Sequence, residues 1–200
     1  MQITEPLKHG KFYHIYNRGI NGDKLFYEYD NYNYFLKLYN THTDVIADTY
    51  GYCLMKNHFH FLIRIKEENE VLTSQIKAPH QYFSNLFNAY TKAINKKYNR
   101  NSSLFQRTFK RKLIDNDSYF KKLVLYINTN PIHHQICKEP QDYIWSSYIT
   151  HISNIPTNIK RDEVIDWFDN IDNFKSVHKQ KLNTIEIENY LELQNIIPCK

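Results

Sequence analysis

His58 and His60 stand two residues apart in the run Asn57-His58-Phe59-His60-Phe61-Leu62-Ile63. Apolar and aromatic residues dominate this run and no breaker interrupts it, so it reads as a β-strand. Successive strand side chains point to opposite faces, which puts both imidazoles on one face and Phe59, Phe61 and Ile63 on the other. Two imidazoles about 7 Å apart along a strand can close on one metal ion, provided that another group completes the ligand set. Taken alone, the pair also fits two packed core histidines.

Tyr126 and Asn130 lie four apart in a stretch whose apolar stripe, Phe120, Leu123, Val124 and Ile127, has helical spacing. On a helix the two stand one above the other, on the flank of that stripe. If the helix packs on the sheet, this flank faces the histidine side. His58, His60 and the Asn130 oxygen then supply three ligands for a divalent cation and leave positions open for substrate oxygens, as in a catalytic site. Tyr126, one turn from Asn130, is placed to attack a bound phosphate. A phenol with an unperturbed pKa of ~10 is a poor nucleophile at neutral pH, so positioning and nearby positive charge must assist it. A phosphodiester on a phenolic oxygen stays reactive because phenolate leaves more easily than an alkoxide, so a freed DNA 3′-hydroxyl can reverse the step.

The elements that must position these groups follow from the pattern. Lys11 to Asn17 is the first strand, with turn chemistry in Arg18-Gly19 and Asn21-Gly22-Asp23. Asp30 caps a helix carrying Tyr32, Phe35, Leu36 and Tyr39 at helical spacing, ending between Asn40 and Thr43. Val45 to Met55 pairs with the histidine strand through the polar break Lys56-Asn57. Pro79 opens a second helix with Phe83, Leu86, Phe87, Tyr90 and Ile94 on one face. Leu104 to Ile114 is a basic edge strand; Asp115 to Ser118 then cap a third helix that should stop at Asn130, before Pro131. The order β-α-β-β-α-β-α predicts an α+β, ferredoxin-like antiparallel sheet with helices on one face. A small, mostly helical C-terminal extension follows, with a packed segment at Tyr143 to Ile152 and short helices at Asp162 to Phe168 and Ile185 to Leu193.

Composition narrows the partners. The chain has 200 residues, enough for one sizeable core, and 42% hydrophobic content excludes a disordered polymer. Its net charge of +5 is concentrated: from Thr91 to Lys122 there are ten basic residues against Asp115 and Asp117. Such a field favours a polyanion, and nucleic acid is the usual one. Arg18, Arg107, Lys110, Arg111, Lys112 and Lys122 are the candidates for DNA contacts, and Phe105 or Tyr119 for stacking on an unpaired base. Cys53, Cys137 and Cys199 show neither a disulfide framework nor a zinc spacing. Together with the lack of a leader or a membrane-length apolar run, this implies a cytoplasmic protein. His14 either approaches the metal face from the first strand or packs there as an ordinary histidine; His133 and His134 read as loop residues.

Several motifs together resemble the single-tyrosine HUH transposases, most of all the REP-associated tyrosine transposases. They are Tyr13-His14-Ile15 with Asn17-Arg18-Gly19, Met55 to Ile63, Ser103 to Arg107, Tyr126 to Pro131, and Trp145-Ser146-Ser147-Tyr148. The resemblance implies a metal-dependent endonuclease and strand transferase that nicks single-stranded DNA beside a hairpin. Tyr126 would form a 5′-phosphotyrosine link, His58 and His60 with Asn130 would bind Mg or Mn, and the protein would work as a monomer or homodimer. Residues 1–135 would be the catalytic domain, with 136–200 an extension packed on it that binds DNA or regulates the site. Two other classes stay open: a non-catalytic single-stranded nucleic-acid-binding protein, and a metal-dependent hydrolase that does not use the tyrosine.

Overall fold

The computed structural model describes residues 6–72, 77–180, 187 and 189. Among them, four strands form one antiparallel sheet: β1 (Phe12–Arg18), β2 (Ala47–Met55), β3 (His58–Ile65) and β4 (Lys110–Ile114), in the spatial order β2-β3-β1-β4. Helices α1 (Tyr29–Thr43) and α2 (Pro79–Lys97) are the crossovers, so the chain has the ferredoxin-like split β-α-β plan.

Alternation along the strands sorts the residues into two layers. Tyr13, Ile15, Phe59, Phe61 and Ile63 point to the face covered by α1 and α2 and bury against Phe35, Phe83, Leu86 and Tyr90. Each fully buried Phe contributes roughly 1.5–3 kcal/mol of hydrophobic stabilisation. The start of α1 is held by Glu28 and Asn31, whose side chains each accept from the other's backbone N–H, rather than by Asp30.

The two crossover helices share one face, and the third lies on the other, the histidine side. Helix α3 (Asp117–His133) covers the opposite face, because Cys53, Met55, Leu62 and Ile114 make that side apolar too and its stripe of Leu123, Val124 and Ile127 buries them. Asn116 caps it by accepting from the Ser118 amide at 2.9 Å. The helix runs through Pro131 rather than stopping at Asn130. Proline removes one donor only, and the Asn130 and Pro131 carbonyls still accept from His134 and Ile136. Strand β4 is shorter than expected: Leu104 and Phe105 are core residues of a loop in which Phe105 bridges Gly19, and Thr108 takes a left-handed backbone, φ 59°.

The C-terminal part closes the second layer. Residues 145–147 bond to the outer edge of β2, through Leu54 N–H to Trp145 O and Ser147 N–H to Tyr52 O, so that edge is covered. Helices α4 (Tyr148–Ile152), α5 (Arg161–Trp167) and α6 (Ile171–His178) then bring Tyr148, Val164, Phe168 and Phe174 into the α3 core. Helix α6 was not visible in the pattern. The helix expected at Ile185 to Leu193 lies outside the described residues apart from Ile187 and Asn189. No described helix is long and apolar enough to cross a membrane.

Two histidines of the C-terminal part are buried: His151, which donates to the Tyr50 carbonyl, and His178, which donates to the Phe174 carbonyl. Burial lowers His151 to about 3 and His178 to about 4, below the ordinary 6.5. Their protons are therefore bound more readily by the unfolded chain, and their contribution to stability is intact above pH 6.5 and lost as the pH falls toward 4 and then 3. Urea unfolding should show stability declining below pH 6.5 by up to about 1.4 kcal/mol per pH unit for each histidine. A flat profile between pH 7.5 and 5 would contradict the buried neutral state.

Candidate active site

The β1–β3 register pairs Arg18 with His58, Tyr16 with His60, and His14 with Leu62. Cross-strand partners share a face, so His14, Tyr16, Arg18, His58 and His60 all lie on the side that α3 covers. Strand β4 adds Lys112 opposite His14 and Lys110 opposite Tyr16. From above, α3 brings the Tyr126 ring to 5.5 Å from the His60 ring, edge to face, and the Asn130 Oδ1 to 3.2 Å from His58 Nε2. The helical spacing of four places both groups over one strand. Chain segments 66 or more residues apart in sequence thus meet at one point.

Hydrogen-bond bookkeeping assigns the His58 tautomer. The Asn57 amide nitrogen donates to the Gly22 carbonyl at 3.3 Å, which turns its oxygen toward His58 Nδ1 at 2.8 Å. Both His58 nitrogens face an amide oxygen, Asn57 at 2.8 Å and Asn130 at 3.2 Å, and the shorter contact favours the proton on Nδ1. Gly22 itself takes a left-handed φ of 78°, and a side chain there would approach the Arg18 guanidinium at 3.2 Å. This turn thus serves both Asn57 and Arg18.

The electrostatics keep the histidines neutral. Burial pushes His14 down to about 3. It does the same for His58, to about 3, with the nearby His134 and Arg18 adding to the effect, and holds His60 well below its ordinary value. Neutral imidazole is the metal-ligating form. Two further observations fit a cation here. His58 Nε2 and the Asn130 oxygen stand 3.2 Å apart, close enough for one cation to bind both when the His58 proton is on Nδ1. The buried His60 Nε2 has no hydrogen-bond partner among the described residues. No group of three or more His, Cys, Asp and Glu side chains among the described residues is placed to hold a metal ion; the oxygen donor beside His58 is the Asn130 amide.

The profile of the family described as "Transposase IS200 like" matches residues 9–130, from the approach to β1 through Asn130. The chain belongs to the IS200-like transposase family. Among solved structures, a REP-associated tyrosine transposase bound to a REP hairpin is similar over 79% of this chain and 90% of its own, at 15% identity and a TM-score of 0.60. That identity shows a shared fold. A bacterial tRNA(His) guanylyltransferase-like protein in complex with ATP overlaps less well, over 81% of this chain and 70% of its own at 12% identity and a TM-score of 0.40. No curated protein matches the sequence.

The transposase's expected DNA-contact residues separate into those beside the histidines and those away from them. Arg18 is next to His58, half-buried, and its Nε has no hydrogen-bond partner among the described residues. Lys110 and Lys112 line the same face along β4. Lys122 lies on α3 with its ammonium 5.2 Å from the Tyr119 ring. Arg107 is on the other side, where it lines a cleft of about 510 Å³ with Asn17, Asn88 and Gln106. Arg111 does not join the histidine face: it pairs with Ile15 on the α1–α2 face and lies 4.1 Å over the Phe109 ring, because strand alternation turns it away from Lys110 and Lys112. Phe105 is also withdrawn as a base-stacking residue, being buried against Phe59, Phe87 and Tyr90. Residues that sequence reasoning undervalued are Tyr16, stacked on His14 at 4.6 Å, and His134, whose ring is 5.1 Å from that of His58. The period-two series His14, Tyr16, Arg18 was the available signal for the first.

Helix α3 of this transposase is tied to the C-terminal layer through Asn128, midway between Tyr126 and Asn130. Its oxygen accepts from Ser147 Oγ at 2.8 Å and its nitrogen donates to His178 Nε2 at 3.1 Å, all three groups buried. Asn128→Ala should leave two buried polar groups unmatched and cost about 2–4 kcal/mol in urea unfolding. A loss under about 0.5 kcal/mol, the level of an ordinary surface change, would show that this tie is not needed.

Proposed function

We propose that this transposase is an HUH-type endonuclease and strand transferase that cleaves single-stranded DNA through Tyr126. The observation that carries this reading is the meeting of Tyr126 and Asn130, one turn apart on α3, with His58 and His60 on β3. His58, His60 and Asn130 would hold a divalent metal, Mg or Mn, which when bound supplies Lewis-acid polarisation of the phosphate.

The chain's own residues account for the remaining chemistry. Arg18 and, along β4, Lys110 and Lys112 receive the phosphodiester on the histidine face, with their positive charge favouring the anion and the phenolate character of Tyr126. The Tyr126 oxygen then attacks phosphorus in line. The new O–P bond forms as the P–O3′ bond breaks, the phenol loses its proton, and the departing 3′ oxygen takes one up. DNA stays joined to the protein by a 5′-phosphotyrosine, and attack by a 3′-hydroxyl reverses the step. Arg107 and Lys122 extend the basic surface along the strand. Tyr126 stands over histidines of its own chain, which supports attack in cis by a monomer.

The expected DNA partner is a single strand carrying a hairpin, the kind of ligand the similar REP-associated transposase holds. Residues 1–135 act as the catalytic domain and 136–200 as an extension, whose Ser147 and His178 hold α3 from outside through Asn128.

Incubating the protein with hairpin-bearing single-stranded DNA and Mg²⁺ or Mn²⁺ should give a covalent protein–DNA adduct that survives denaturing electrophoresis. Tyr126→Phe should form none, and an adduct at the wild-type level would sink the assignment. Arg18→Ala should slow adduct formation by about 10²–10³-fold, the effect of removing one preorganised donor to a transition-state oxygen. Wild-type rates in that variant would remove Arg18 from the phosphate site.

A further inference from the structure

We infer that His14 is a positioning residue that holds His60 in the tautomer able to bind a metal ion. The inference rests on the metal-site reading above and adds to it a fourth side chain from β1.

His14 and His60 are 0% and 1% exposed, and His14 Nε2 lies 2.9 Å from His60 Nδ1. Their rings are within 10° of parallel, and Tyr16 stacks on His14 at 4.6 Å and 15°, which fixes the plane of the dyad. The register explains the reach: His14 sits opposite Leu62, so it is the diagonal neighbour of His60.

A neutral imidazole carries one N–H, so one nitrogen of the facing pair donates and the other accepts. If His14 donates, the His60 proton sits on Nε2 and blocks its lone pair. If His60 donates, its Nε2 is bare and can ligate. The outer nitrogens, His14 Nδ1 and His60 Nε2, both lack a hydrogen-bond partner among the described residues. The two arrangements therefore leave the same number of buried groups unmatched, and the protein by itself has little reason to prefer either. A cation at His60 Nε2 breaks this tie in favour of the second. His14 then accepts the Nδ1 proton, orients the ring and raises its basicity, as acceptors behind metal-bound imidazoles do. It is not itself a ligand through Nε2, since that atom is spent on His60.

Mn²⁺ binding to the full chain, followed by calorimetry and by the loss of the free-ion paramagnetic resonance signal, tests this without DNA or turnover. His60→Ala should lose binding. His14→Phe keeps a flat ring of similar size but no acceptor, and should weaken binding about 10–100-fold. His14→Gln offers an amide oxygen and should bind within about threefold of wild type. Melting of the metal-free variants reports whether each is folded; should the Phe variant unfold, His14→Met against His14→Gln gives the same contrast, with and without an acceptor. Wild-type affinity in the Phe or Met variant, or a loss in the Gln variant as deep as theirs, would overturn the role of His14 while leaving the metal site standing. Equal binding by wild type and His60→Ala would overturn the metal-site reading itself, and this inference with it.

Discussion

The site depends on one packing event, the docking of α3 across the second face of the sheet. That face is only half apolar: Cys53, Met55, Leu62 and Ile114 alternate in space with His14, His58 and His60. Burying Leu123, Val124 and Ile127 on the apolar part drives the docking. The same contact carries the histidines out of water and lowers their proton affinity, and it sets Tyr126 and Asn130 above them. Hydrophobic burial therefore supplies the free energy that holds these imidazoles out of water, and neutral at pH values where an exposed histidine would be charged.

Docking alone would leave a helix anchored along a single stripe. The C-terminal layer clamps it from the far side, with Phe168 and Phe174 packed in the same core and Asn128 held between Ser147 and His178. The polar tie sits between Tyr126 and Asn130, where it holds both side chains over the histidines. On the sheet side, the β1–β3 ladder and the turn at Gly22 hold Arg18 and Asn57 relative to His58. The histidine cluster is thus fixed from both layers.

The buried nitrogens without partners are informative in this setting. His14 Nδ1, Arg18 Nε and His60 Nε2, which have no hydrogen-bond partner among the described residues, lie on the same face of the same two strands. Unmatched buried polar groups are costly, roughly 1–3 kcal/mol each, so a cluster of them marks a place shaped for something other than stability. One of the two outer histidine nitrogens carries a lone pair in either tautomer of the pair, on the same face as the Arg18 guanidinium.

The elements with strong periodicity were legible from residues alone: the β3 alternation, the five-residue apolar face of α2, and the stripe of α3. Those patterns report solvent exposure on each element, which local spacing encodes directly. The partnership of His58 and His60 with Tyr126 and Asn130 was legible because strand and helix periods place each pair on one face. Other features were decided by the tertiary structure. Whether Arg111 or its neighbours faced the histidines depended on where β4 begins and pairs, and one residue of register reverses every side chain. Phe105 could stack on DNA or fill the core until the loop before β4 was placed, and Pro131 ended the helix only as a local preference that packing overrode. The His14–His60 contact is diagonal across two strands 46 residues apart, so only the β1–β3 register could create it. Sequence determined which faces are wet and which are dry; the pairing of those faces, a long-range choice, determined which polar groups were left to do chemistry.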